Sequence, residues 1–154
     1  MKSHEEYFNA VTSCLMTFQY IEEAMKMILL RLESLTYFCL KKYTPYNLKP
    51  KFAAIQNAAM GRLIDMLSVY TDDQQIIAEL RKLKKKRDQI AHKSLLMSVE
   101  EVNDKESIHL KTSELEDLKE PLEVLLKKLL EKWGNFDDIL NKLNAEQNDN
   151  VNRR

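Results

Sequence analysis

The side chains able to do chemistry gather in KLKKKRDQIAHKSLL, residues 82–96. At its centre stand Arg87, Asp88 and His92. An arginine fork holds phosphate or carboxylate oxygens through paired N–H groups. A histidine moves protons near neutral pH. Asp88 and His92 are four apart, so on a helix they share a face and can pair. Arg81, Lys82, Lys84, Lys85 and Lys86 precede the centre and Lys93 follows it, a set of cations suited to phosphates. Arg87 and His92 are five apart, about 140° around a helix, so they do not point the same way. A cleft between two molecules brings them together more easily than one helix face. By residue type alone, the cluster also fits a solvated basic face. In that reading Asp88 and His92 form a minor surface contact, and Arg87 lies at a stripe edge with its stem packed.

Other familiar reactive patterns are missing. The remaining histidines, His4 and His109, have no partner at metal-ligand spacing, and there is no HExxH or CxxC. The two glycines, Gly61 and Gly134, are 73 residues apart, so no glycine loop cradles a phosphate. No GxSxG elbow occurs. The sequence therefore calls for no metal and no cofactor.

The elements that must carry the cluster are helical. Two Gly and three Pro in 154 residues are too few for a sheet with many turns. At 44% apolar and 31% charged, the chain suits one soluble globular domain, expected over 1–145 with a polar tail at 146–154. No window of 18 apolar residues suggests a membrane span. The start, MKSHEEYFNA, lacks the apolar run of a signal peptide. Cys14 and Cys39 on one helix would lie about 37 Å apart, too far to pair. Two unpaired thiols suit a cytoplasmic protein. Net charge is zero but uneven. Residues 43–96 hold ten Lys/Arg and five Asp/Glu, net +5, and residues 97–154 hold nine and fourteen, net −5. The middle of the chain can face a polyanion.

Phe8, Val11, Leu15, Phe18, Ile21, Met25, Ile28, Leu32, Leu35 and Cys39 advance by threes and fours, which predicts a helix over 4–41. KKYTPYNLKP ends it. A second helix is expected over 51–70 on Phe52, Ile55, Ala59, Leu63, Met66 and Tyr70, either continuous or broken near 58–61. Thr71 with Gln74 reads as a capping box opening a helix over 72–93. Its stripe is Ile76, Leu80, Leu83, Arg87 and Ile90, with a charge in an apolar place. Residues 95–111 lose the helical period, and Asn103-Asp104 reads as a turn in a short hairpin or loop. Leu115, Leu118, Leu122, Leu125, Leu129, Trp133, Phe136, Leu140 and Leu143 form a last stripe. Its cap is read at Ser113, its main body begins near Pro121, and Gly134-Asn135 can break it. The fold class is all-α: a four- to five-helix up-and-down bundle with a long first helix and a short hairpin or loop before the last long one.

An Arg-polar-x-x-x-His motif near the end of a bundle's third helix resembles the HEPN superfamily, named for higher eukaryotes and prokaryotes nucleotide-binding. Here the motif reads Arg87, Asp88, His92. MGRLIDMLSVY is similar to the second helix of small bacterial members. The likeness covers about residues 5–143, and the six-residue motif is its specific part. It implies a metal-independent endoribonuclease acting as a homodimer, with two motifs meeting in one cleft. It also implies service as a toxin with a cognate antitoxin, or as an abortive-infection or other antiviral module. Carried over, His92 moves protons at the ribose 2′-OH or the leaving 5′-oxygen, Arg87 holds the scissile phosphate, and Asp88 orients either of them. The product is a 2′,3′-cyclic phosphate. A subset of the family carries Tyr two residues after the His, where a partner nucleotidyltransferase modifies it; this chain has Ser94 there. Other members are non-catalytic scaffolds or nucleotide binders, which stand as the alternative expectation.

Overall fold

The computed structural model describes residues 2–43, 49–93 and 103–134, together with 136, 138, 139, 141–143 and 145. Among them are six named helices: α1 (His4–Tyr43), α2 (Phe52–Gln56), α3 (Met60–Ser68), α4 (Gln74–Lys93), α5 (Lys105–Asp117) and α6 (Lys119–Trp133). No described residue is in a strand. The protein is an all-α bundle.

The long first helix follows from its seam. Tyr7, Val11, Cys14, Phe18, Ile21, Met25 and Ile28 are buried. Their spacing alternates four and three, the repeat that keeps one narrow face against neighbouring helices. Ser3 opens the helix with a reciprocal cap. Its hydroxyl accepts from the Glu6 N–H at 3.2 Å, and the Glu6 carboxylate accepts from the Ser3 N–H at 2.6 Å. α1 packs against all five other helices and is the axis of the bundle.

The seam departs from expectation in detail. Tyr7 and Cys14 are buried, whereas Phe8 is exposed and Leu15 only half-buried. Adjacent apolar residues compete for one inward position, and the four-three register selects the earlier of each pair. Burial in α1 ends at Leu29, so Leu35 and Cys39 lie beyond the core. Cys14 donates its S–H to the Leu115 carbonyl at 3.2 Å, and burial pushes its pKa up. It is a packed thiol rather than a reactive one.

The second helix is two. Residues 57–59 break it, and Ala59 is extended at φ −73°, ψ 161°. The register restarts at Met60, which buries Leu63, Ile64 and Leu67 and leaves Tyr70 exposed. Gly61 is inside α3, where a Cβ would sit 3.0 Å from Cε of Lys84. The bare backbone lets the Lys84 stem cross α3 closely.

The cap of α4 is Asp73, whose carboxylate accepts from the Ile76 N–H at 3.1 Å. Thr71 instead accepts from the Asp73 N–H at 3.1 Å, supporting the turn before the cap. Asp73 also pairs with Lys132, and Glu79 pairs with Lys128 at 3.2 Å, which ties α4 to α6. The Asp73 carboxyl is held below its usual value, first by Lys132 and then by the Ile76 N–H. A carboxylate depressed in the folded state stabilises above its unfolded pKa, near 3.8, and that contribution disappears as pH falls through the folded value. Asp88 is depressed as well. The melting temperature is therefore expected to fall on acidification from about pH 5 to about pH 2. Asp73→Asn keeps a capping oxygen but not the charge, so the fall is expected to be shallower in that variant. An identical fall in thermal scans would contradict the assignment.

The turn expected at Asn103-Asp104 is the start of a helix. Asp104 caps α5 by accepting from the Glu106 N–H at 3.0 Å. Residues 105–111 are therefore helical rather than half of a hairpin. An Asx side chain serves a turn and a helix start equally well, which is why the two readings were not separable. The rest of the expected hairpin or loop, 95–102, lies outside the described residues, as does Ser94. Ser113 caps nothing; its hydroxyl donates to the His109 carbonyl at 3.0 Å. The chain bends at Leu118 and resumes as α6, with Pro121 in its first turn. Proline has no N–H and its ring crowds the carbonyl four residues back, which interrupts the helical hydrogen bonding between α5 and α6 although Leu118 keeps a helical backbone. Leu122, Leu125, Leu129 and Trp133 then face the core, with Phe136 half-buried beyond them. Leu129 is fully buried. Leu129→Ala is expected to cost about 2–5 kcal/mol of stability in denaturant unfolding. A loss below about 1 kcal/mol would mean that α6 is not packed as described.

Candidate functional site

α4 carries every expected site residue. Ile76, Ile77, Leu80, Leu83 and Ile90 hold its inner face against α1 and α3. Arg87 follows Leu83 by one turn and points toward α1. Its Nη2 is 3.9 Å from Oε2 of Glu22, whose side chain is only 15% exposed. Its Nη1 donates to Oδ1 of Asp88 at 3.3 Å. The Arg87 side chain is thus held between two carboxylates and is 40% exposed.

Asp88 faces back along the helix. Its Oδ2 accepts from Nζ of Lys84 at 2.5 Å. The Lys84 hydrogen bond, followed by that from Arg87, holds its carboxyl below the usual range. Asp88 is therefore a fixed anion that orients Arg87. No hydrogen bond or ion pair joins it to His92.

His92 lies in the last turn of α4 and is exposed. It makes no hydrogen bond among the described residues. Arg81 and Lys85 precede it by eleven and seven residues, which places all three within about 40° on the wheel. The exposed face of α4 is thus a basic stripe ending in a histidine. Arg81 is 3.5 Å from Asp65 of α3, an exposed contact of little energetic weight. Lys82, Lys85, Lys86 and Lys93 are exposed and form no ion pair among the described residues. Within one chain, then, Arg87 and Asp88 come together, Asp88 and His92 share a face without bonding, and His92 points about 140° away from Arg87.

Glu22 is the residue that sequence reasoning missed. It follows Phe18 by one turn, as Arg87 follows Leu83. Only α4 has its stripe interrupted; in α1 Ile21 and Met25 fill the inward places beside Glu22, so nothing in the sequence marked it. The described residues contain no group of three or more His, Cys, Asp or Glu that could hold a metal ion. No described helix is long and apolar enough to cross a membrane. In comparisons with known proteins, no family model matches this chain, and neither a curated protein nor a solved structure is similar enough to count as a match.

Proposed function

We propose that the chain is a metal-independent endoribonuclease of the HEPN type, acting as a homodimer in a toxin or antiviral defence role. The observation that carries this reading is the divergence of two suitable groups on one helix. Arg87 is held by Glu22 and Asp88 with its side chain still partly exposed, and His92 ends an exposed basic stripe. Such groups serve one phosphodiester when His92 of one chain meets Arg87 of another. His92 then takes the proton of the 2′-OH or supplies one to the 5′-oxygen. Arg87 offsets the charge that grows on the phosphate. Lys82, Lys85, Lys86 and Lys93 hold neighbouring phosphates. RNA incubated with the protein in EDTA is expected to be cut by wild type and spared by His92→Ala. Cutting that survives His92→Ala would sink the assignment.

A second reading is a non-catalytic bundle used as a scaffold. The engagement of Arg87 by two carboxylates favours it, since a guanidinium already paired is a suitable interface anchor. It predicts no cleavage of any RNA and weaker self-association in Arg87→Ala. Light scattering on wild type and on that variant separates the two readings.

A further inference from the structure

The far end of α1 is built unlike the rest of the helix. No residue after Leu29 is buried. Leu30 and Leu32 are half-buried against the core, partial burial continues to Tyr37, and every residue of 38–43 is exposed, a length of about 9 Å. This overhang is rich in aromatic rings and lysines. Phe38 is 40% exposed and Tyr43 is 77% exposed. Lys41 stands over the Tyr37 ring at 5.6 Å, and Lys42 over the Tyr43 ring at 5.5 Å. The start of α2 is fastened beside it, because the Lys51 N–H donates to Glu33 at 3.0 Å. Tyr70, in the turn after α3, donates to the same carboxylate at 3.1 Å. Glu33 is thus occupied by two donors. From 34 to 64 the sequence has no Asp or Glu, yet it holds Lys41, Lys42, Lys49, Lys51 and Arg62.

We propose that this overhang is a second binding site, for single-stranded RNA, lying apart from the α4 stripe. Phe38 and Tyr43 offer ring faces on which bases stack, and Lys41, Lys42 and Lys51 take the phosphates. Alternating rings and cations with no competing acid is the surface that single strands require. Charge selects the polyanion over a second copy of the chain. Two such ends meeting would place like charges together with few carboxylates to offset them. The inference rests on the reading of the protein as one that acts on RNA, and it gives that reading a means of holding substrate away from the cut.

The test is fluorescence anisotropy of a short labelled oligouridylate, using His92→Ala so that cleavage cannot interfere. Lys41→Glu/Lys42→Glu is expected to weaken binding at least about ten-fold and to reduce the salt slope by about 1.4. Phe38→Ala and Tyr43→Ala are each expected to weaken it about ten-fold, with the salt slope unchanged. All four positions are exposed or rim the helix end, and circular dichroism verifies that the bundle persists. Unchanged affinity in these variants, with loss instead in Arg81→Glu/Lys85→Glu, would overturn the proposal while leaving RNA binding in place. Absence of binding at any salt would overturn it too. A change in mass by light scattering without a change in RNA affinity would assign the overhang to self-association and reject the proposal.

Discussion

Replacing His92 with alanine is expected to lower RNA cleavage by about 10²- to 10⁴-fold, the range for removal of a general acid–base group. The fold should survive. His92 is exposed, bonds to nothing among the described residues and supports no core contact. Thermal unfolding should stay within about 0.5 kcal/mol of wild type, as for other surface changes. A nuclease loss accompanied by unfolding would say nothing about catalysis, so both measurements are made on one preparation. Unchanged cleavage by a folded variant would remove His92 from the site.

The second large effect concerns Arg87. Arg87→Ala is expected to abolish cleavage on its own, because lysine and water are poor substitutes for a two-pronged guanidinium on phosphate. The more telling result comes from mixing. One helix cannot bring Arg87 and His92 to the same phosphate, so each site should take Arg87 from one chain and His92 from the other. Arg87→Ala and His92→Ala are each inactive alone. Exchanged into mixed dimers, they should recover about a quarter of wild-type activity, since half the dimers are mixed and each carries one intact site. No recovery, despite verified exchange, would contradict a site shared between chains.

Much of the bundle was legible in the sequence because stripes at helical spacing bury one face. α1 and α4 follow that rule closely, and Arg87 stood out as a charge in the apolar series of α4. What escaped had local causes. Between Tyr7 and Phe8, or Cys14 and Leu15, hydrophobicity alone does not choose the inward residue; the packing register does. Asp104 at a helix start resembles Asp104 in a turn until the following residues are seen to pack. The break between α2 and α3 was one of two expected alternatives, and because Asn57–Ala59 carry no proline it is packing that decides between them. The site was legible as a list of residue types. Its geometry was not, because Glu22 is 65 positions from Arg87 in the chain and only the meeting of α1 with α4 pairs them.

The most direct measurement is a cleavage assay on total RNA in EDTA, wild type beside His92→Ala, with chemical analysis of the new ends. The account predicts that wild type alone cuts, and that the fragments end in 2′,3′-cyclic phosphate, as attack by the neighbouring 2′-OH requires. Intact RNA with wild type, ends bearing 5′-phosphate, or equal cutting by His92→Ala would contradict it.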